Sequence, residues 1–325
     1  MRELRVHMPR EPRASFRAAL EENLHRSVTL SFGDKSPGDY EWLIAGRPRE
    51  EDCTRSESLR AVLIPYAGVP ESTRTRILQS PHIALYNIHH NAAPTAEMAL
   101  TLMLCAAKNI LPADRALRRG DWRIRYEEDE APLLTGRRAL VLGYGAIGRR
   151  IAAMCAALGM SVEAVRRRIA EPMEEGGIGV HPVTSLDSLL ENAEVLVVCL
   201  PHTPDTEGLL GEERIGRLPH GAVLINVARG SIVDEASLYY ALRDRRLGAA
   251  GLDVWWRYPE DVECRRETAP SRFPFGDLDN VVLSPHRAGH TAVTETLRAR
   301  HVADVLNAAA AGEKIPHRVD PEAGY

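Results

Sequence analysis

Lysine is almost missing from this chain. Lys35, Lys108 and Lys314 are the three lysines among 41 basic residues, so arginine carries nearly all of the positive charge. A single arginine at any position is therefore weak evidence of a site. Cysteine is scarce too: Cys53, Cys105, Cys155, Cys199 and Cys264 are scattered, odd in number and never spaced C-x-x-C. That pattern argues against a disulfide framework or a cysteine-based zinc site and fits reduced thiols in the cytoplasm. An excess of one charge sign is also lacking. A formal net charge of −4 gives no reason to expect nucleic acid or an anionic membrane as partner. The longest apolar run, Met98–Ala107, is interrupted by Thr101 and falls short of the about 20 residues that span a bilayer. The first residues, MRELRVHMPREPR, contain no apolar stretch of the secretory-signal type.

What is present is an alternation of short apolar runs and helical patterns over 325 residues, a length that predicts about two domains. Alternation of this kind predicts an α/β fold of parallel sheets with helices on both faces. In the first part the expected strands are Leu4–Met8, Ser27–Ser31, Glu41–Ile44, Leu59–Ile64 and Ile83–Tyr86. Residues 97–111, EMALTLMLCAAKNIL, read as one long buried helix. A second series is expected at Ala139–Leu142, Ser161–Val165, Val195–Cys199, Ala222–Val227, Gly248–Leu252 and Val281–Ser284, with a final helix over Thr291–Ala311. The stretch Tyr258–Asp277, rich in proline and charge, reads as a surface loop beside a site.

The run ALVLGYGAIGRRIA, from Ala139 to Ala152, carries the most information. Apolar residues lead straight into Gly143, Gly145 and Gly148, and a helix-forming stretch follows. This is the G-x-G-x-x-G fingerprint in its strand–turn–helix setting. Gly143 permits the turn, Gly145 lets backbone N–H groups approach a pyrophosphate, and Gly148 lets helix and strand pack closely. With Ala146 and Ile147 they would place an anion at a helix N-terminus, where unpaired N–H groups and the macrodipole favour it. In an open parallel sheet, ligands bind outside the carboxyl ends of the strands. The residues there are Gly143, Arg166, Leu200-Pro201, Arg229, Asp253 and Pro285-His286. One crevice is expected to collect them.

The runs INVARGSIVDEASL, AGLDVWW, NVVLSPHRAGHT and PHTPDTEGLL resemble the D-isomer-specific 2-hydroxyacid dehydrogenase family. Formate dehydrogenase, phosphoglycerate dehydrogenase and glyoxylate/hydroxypyruvate reductase are members. The resemblance runs from about Leu59 to Thr291 and implies two Rossmann-like or flavodoxin-like domains. A catalytic domain of residues 1–111 and 290–325 would carry an inserted dinucleotide-binding domain of residues 112–289. It implies His286 as the proton donor and acceptor, a role that suits an imidazole. It implies Arg229 as the group that grips an α-keto carboxylate and polarises its carbonyl. The family's third member is a glutamate five residues after the L-D-V aspartate; here Asp253 is followed at that spacing by Tyr258. His286 is thus expected to lack its usual anionic partner unless Glu260 or Asp261 substitutes. The first domain would contribute Ala67, Gly68 and Val69 as a carboxylate-binding turn and Asn91 as a substrate contact. His290, Tyr66 and His89 are further pocket candidates. Val227, Ala228 and Ala288 complete the expected cofactor contacts.

In NAD-binding members the residue matching Arg166 is an aspartate that holds the ribose 2′-OH. Here Arg166, Arg167 and Arg168 follow one another, so NADP(H) is expected over NAD(H). Adjacent His89 and His90 point apart and no third ligand is spaced to join them, so no metal is expected. The leading expectation is a homodimeric oxidoreductase that exchanges a hydride between NADP(H) and a small 2-keto or D-2-hydroxy acid. The alternatives are oxidation of another small anion such as formate, and a nucleotide-sensing protein resembling corepressors built on this fold.

Overall fold

β-Branched and leucine-rich runs with no polar face belong inside a sheet covered on both sides, and two sheets hold the apolar strands of this chain. The computed structural model describes residues 3–126 and 131–324. The chain begins with β1 (Leu4–Met8), α1 (Ala14–Asn23), β2 (Val28–Phe32), β3 (Trp42–Ile44), α2 (Glu50–Thr54), β4 (Ala61–Leu63), α3 (Glu71–Leu78) and β5 (Ala84–Tyr86). Next come α4 (Ala92–Ala107), α5 (Ile110–Leu117), β6 (Arg138–Leu142), α6 (Ala146–Ala157), β7 (Ser161–Val165), β8 (Met173–Glu175) and β9 (Ile178–His181). Then follow α7 (Leu186–Leu190), β10 (Val195–Val198), α8 (Glu212–Arg217), β11 (Ala222–Asn226), α9 (Glu235–Arg243), β12 (Leu247–Leu252) and β13 (Val281–Leu283). The chain ends with α10 (Thr294–Ala311) and β14 (Arg318–Val319).

Two compact units result: residues up to Asn91 together with those from His290 on, and Ala92–Gly289. The first unit holds a six-stranded sheet in the order β14-β5-β4-β3-β1-β2, with β14 antiparallel to β5 and the other pairs parallel. Its parallel part has the 2-1-3-4-5 order of flavodoxin-like sheets. Alternate residues of β4 serve opposite faces. Ala61 and Leu63 join Phe16 and Leu20 of α1 and Val302 and Leu306 of α10; Val62 joins Leu43, Ile77 and Leu85.

The second unit holds an eight-stranded sheet in the order β13-β12-β11-β10-β6-β7-β9-β8, parallel except for β8 against β9. Val141, Val197 and Ile225 face Met103 of α4 and Ile151 of α6. Leu140, Leu196 and Leu224 face Leu238 and Leu242 of α9. Strand order reverses between β6 and β10, which is where such a sheet opens a crevice.

The structure departs from the sequence expectations at several points, the final helix among them, which starts at Thr294 rather than Thr291. The long helix starts at Ala92 rather than Glu97, and it breaks at Lys108–Asn109, with α5 turning away by 65°. Asn109 sits at φ 49, a left-handed conformation that asparagine tolerates better than most residues. The first unit closes at Asn91 instead of residue 111, because the buried residues of α4, Ala96, Ala99, Leu102, Met103 and Ala106, belong to the core of the second sheet. Gly251 permits this packing: a Cβ there would stand 2.7 Å from the Leu102 Cβ. The β8–β9 hairpin went unforeseen. Its charged outer strand is exposed, and Gly176 and Gly177, at φ 61 and 80, supply the positive dihedrals of a two-residue turn. Among the described residues no single helix is long and apolar enough to cross a membrane.

Candidate active site

The site in the second unit is built from the loops that leave the carboxyl ends of its strands. Strand β6 is buried from Ala139 to Leu142 and gives out at Gly143. Gly143 has φ 109, and a Cβ there would lie 2.9 Å from the Cys199 carbonyl oxygen. A Cβ on Gly148 would lie 1.8 Å from the Gly143 oxygen, so α6 can seat on the turn with glycine alone. Gly145 is different: a Cβ there would meet nothing within 4 Å. Its bareness serves no internal packing and leaves room for something approaching the backbone ahead of Ala146 and Ile147. Cys199 pins the turn from below. Its thiol donates to the Gly143 carbonyl at 3.0 Å, and burial pushes its pKa up to about 12, so it remains a protonated donor.

Neighbouring strands supply the flanks. The Arg166 backbone N–H, just past β7, donates to the His181 carbonyl at 2.9 Å, which ties the loop to β9. Arg166 is half-buried and Arg167 and Arg168 are exposed. Beyond β10, Leu200 is half-buried and Pro201 exposed. Val227 and Ala228, past β11, are buried and apolar.

Arg229 and His286 are held by one polar network. The Asn226 amide donates to the Arg229 carbonyl at 3.0 Å and its oxygen accepts from the Ala228 N–H at 3.0 Å, which shapes the loop carrying Arg229. Gly230 lets that loop press against the next strand's end, since a Cβ there would lie 2.3 Å from the Trp255 carbonyl oxygen. The Asp253 N–H donates to the Asn226 carbonyl at 3.0 Å. The fully buried Asp253 carboxylate then accepts from the Ser284 hydroxyl at 2.5 Å, the Arg287 N–H at 2.8 Å and the Ala288 N–H at 2.9 Å. Three donors converging on one carboxylate fix the turn on which His286 stands. His286 itself has φ 56, uncommon for a non-glycine residue. Asp253, expected as a cofactor contact, acts in this unit as the organiser of the histidine turn.

Tyr258 stands where the anionic partner was sought. Its ring is tilted against the His286 ring with centroids 5.5 Å apart. Its hydroxyl oxygen accepts from the Trp255 N–H at 3.1 Å. Burial raises the phenol pKa, and the nearby Arg229 charge opposes that rise. Arg229, Tyr258 and His286 therefore occupy one locality. Asp261 is committed elsewhere, accepting from the Cys264 N–H at 2.8 Å, and Glu260 is exposed. The loop behind Tyr258 is anchored: Ser271 and Arg272 bind Glu235, Phe273 stacks on Tyr239, and Phe275 stacks on Trp256.

The remaining candidates lie in the first unit. Ala67, Gly68 and Val69 form the turn after β4, and the Asn87 amide donates to the Ala67 carbonyl at 2.7 Å. The Tyr66 ring lies over Gly46, where a Cβ would come 2.0 Å from the phenol oxygen. Asn91 follows β5 with its Oδ1 buried and unpartnered, as is the Nδ1 of His90. His290 is exposed. His89 packs edge-on against His317 with centroids 4.9 Å apart. Burial, reinforced by neighbouring positive charge, pushes His89 and His90 down to about 4, and His301 contributes to both shifts. The sequence reading missed His301 and His317, which come from elements far along the chain. Among the described residues no group of three or more His, Cys, Asp or Glu side chains is arranged to hold a metal ion.

Comparison with known proteins adds a family. The profile described as D-isomer specific 2-hydroxyacid dehydrogenase, NAD binding domain, matches residues 100–288. A D-3-phosphoglycerate dehydrogenase of Archaeoglobus fulgidus is 38% identical over 202 residues, covering 62% of this chain and 36% of that protein. A glyoxylate reductase of Korarchaeum cryptofilum is 32% identical over 237 residues, covering 70% of this chain and 66% of that one. The matches thus span between about a third and two thirds of these relatives' own length. A D-isomer specific 2-hydroxyacid dehydrogenase from Xanthobacter autotrophicus Py2, solved with NADPH and MES, is similar over 100% of both chains, with a TM-score of 0.79 and 27% identity.

Proposed function

Because the chain belongs to the D-isomer specific 2-hydroxyacid dehydrogenase family, we propose that it exchanges a hydride between a nicotinamide dinucleotide and the carbonyl carbon of a small 2-keto acid. The product of reduction is a D-2-hydroxy acid, and the substrate is of the glyoxylate or hydroxypyruvate type. The observation that carries this reading is the Asn226–Asp253–Ser284 network, which ties the Arg229 loop and the His286 turn to the same sheet edge as the Gly143 turn.

The dinucleotide, when bound, supplies the hydride. Backbone N–H groups at Gly145, Ala146 and Ile147 suit its pyrophosphate, and the free space at Gly145 fits that approach. Leu200, Pro201, Val227 and Ala228 offer apolar walls, and Asp253, His286 and Ala288 bound the nicotinamide end. Arg229 grips the substrate carboxylate with two hydrogen bonds and draws electron density from the carbonyl. His286 gives a proton to the carbonyl oxygen during reduction and takes it back during oxidation. Tyr258 packs against the imidazole and orients it. In the first unit, the Ala67–Val69 turn and Asn91 offer backbone N–H groups and a side-chain amide of the kind that hold a carboxylate, and His290 is a further candidate.

NADP(H) is the preferred nucleotide in this reading. No carboxylate stands directly after β7, and Arg166 and Arg167 stand where a 2′-phosphate would be met. The NADPH bound to the Xanthobacter relative supports it. A homodimer is also proposed, on the family resemblance and on α5, which has no buried residue in the single chain. The five free cysteines support a reducing, cytoplasmic setting.

The test is a steady-state screen of small 2-keto and 2-hydroxy acids, formate included, with NADPH, NADH and their oxidised forms. Turnover of a 2-keto acid that is lost in Arg229→Ala and His286→Ala supports the proposal. Formate oxidation in its place would overturn the substrate assignment. Tight nucleotide binding with no turnover of any substrate would favour a nucleotide sensor.

A further inference from the structure

Strands β7 and β10 are not neighbours; β6 lies between them. Arg167 stands two residues beyond β7, and Asp205 stands on the turn beyond β10. Their side chains nevertheless pair, with Arg167 Nη2 at 3.3 Å from Asp205 Oδ2. This ion pair must pass over the carboxyl end of β6, where the Gly143 turn begins. We propose that Asp205 sets nucleotide preference by clasping Arg167 across this opening and yielding it to a 2′-phosphate. The inference rests on the reading of the crevice as a dinucleotide site.

The two ends of the clasp differ in stiffness. Asp205 rides on a tied turn. The Thr203 N–H donates to Thr206 Oγ1 at 2.8 Å, and that hydroxyl donates to the Pro201 carbonyl at 2.8 Å. Arg167 is a long side chain at the start of an exposed loop. Arg166 is more confined: its backbone is bonded to β9, and its charge acts on the buried Tyr144. Arg149, the next cation along, lies over the Tyr144 ring and pairs with Glu175 at 3.0 Å. Arg167 is therefore the cation placed to move.

The energetics permit exchange. The pair is exposed on both sides, 48% for Arg167 and 70% for Asp205. Exposed pairs contribute at most about 1 kcal/mol. A phosphate monoester brings nearly two negative charges and three acceptor oxygens, so it can displace a single carboxylate from a guanidinium. A ribose 2′-OH cannot. With NADH the clasp stays closed, and with NADPH it opens in favour of the phosphate.

The test is calorimetric titration of NADPH and NADH into wild type, Asp205→Asn, Arg167→Ala and the double variant. Asp205→Asn should tighten NADPH about three- to five-fold, the equivalent of releasing a pair of this kind, and leave NADH within about two-fold. Arg167→Ala should weaken NADPH and spare NADH. On that background Asp205→Asn should change nothing, as a thermodynamic cycle through Arg167 requires. Unchanged NADPH binding in Asp205→Asn would overturn the clasp while leaving the dinucleotide site intact. Equal tightening with and without Arg167, or of both nucleotides alike, would also overturn it. A wild type that binds neither nucleotide would overturn the dinucleotide reading itself.

Discussion

Tyr258 is the residue whose ring packs against the His286 imidazole. A carboxylate beside an imidazole favours the protonated ring, whereas a phenol, uncharged near neutrality, does not. Here the phenol is further from ionising because burial raises its pKa. Tyr258→Glu should therefore move the titration of His286 upward by about one unit. Oxidation needs the unprotonated ring, so the acidic limb of its kcat/KM profile should shift to higher pH. Reduction needs the protonated ring and should persist to higher pH. An unmoved acidic limb in the variant would show that Tyr258 is not the imidazole's partner. Asp253 is the other residue with a specific consequence. Its carboxylate accepts three hydrogen bonds from the histidine turn. In Asp253→Asn one acceptor oxygen becomes a donor that faces another donor, and the turn must shift. Displacements near 1 Å at a reacting group cost about 10²-fold in rate, and kcat should fall by that order. Ser284→Ala removes one of the three bonds and should cost about 1 kcal/mol of stability with a much smaller loss of kcat. Comparable kcat losses in the two variants would contradict this division. Arg229 and His286 could be nominated from the sequence because strand-end position and motif coincide there. Asn226 and Ser284 lie inside the same quoted runs, yet their role depends on hydrogen bonds across strands that the linear text does not display.

Among elements, the glycine turn separates folding from binding. Gly148 meets the Gly143 carbonyl with no space for a methyl group, while Gly145 faces open space. Gly148→Ala should destabilise the second unit by about 2–3 kcal/mol, within the range that overpacking costs. Gly145→Ala should leave the melting temperature nearly unchanged and weaken nucleotide binding at least ten-fold. Parallel thermal melts and nucleotide titrations distinguish the two, and a large fall in Tm for Gly145→Ala would refute the assignment. The loop after β5 makes a different prediction. His89 and His90 titrate near 4 in the fold, against 6.5 for an unburied histidine. Above pH 6.5 both folded and unfolded chains hold them neutral. As pH falls from 6.5 toward 4, the unfolded chain takes up protons that the fold refuses, so stability drops and then levels off. After allowance for screening at their partly exposed edges, the loss is on the order of 1 kcal/mol per histidine. His89→Gln should flatten that slope in denaturant titrations at pH 4.5, 5.5 and 7.5, and an unchanged slope would contradict it. Burial is the main cause, and the charges that add to it, His301 on α10 for both and His317 before β14 for His89, lie more than two hundred positions away in the chain. Spacing rules see neighbours in sequence, and burial of this kind is a tertiary effect.

On the scale of the whole chain, periodicity revealed the alternation of strands and helices but not which unit each helix serves. Residues 97–107 are apolar on most sides, so their text does not say which sheet they cover; the packing of Leu102 against Gly251 does. The same stretch ends at Asn109, whose positive φ directs α5 away from the core. Consequently α5 has no fully buried residue, and its apolar Ile110 and Leu117 are 48% and 52% exposed. Trp122, Tyr126 and Leu133 follow at 60%, 78% and 69% exposure. Large aromatic and aliphatic groups left in water are of the kind that gain from burial against another protein. The proposed second copy of the chain meets that need at no cost in new chemistry, since the same patch serves both partners of a two-fold pair. Placing a charge within the patch should therefore oppose association. Sedimentation velocity should show wild type as a dimer and Ile110→Asp/Leu117→Asp as a monomer of unchanged far-ultraviolet dichroism. Because these residues are unburied in the single chain, the double variant should lose little intrinsic stability. A wild type that sediments as a monomer at micromolar concentration would remove the dimer from the proposal. A variant that remains dimeric would move the interface to another surface.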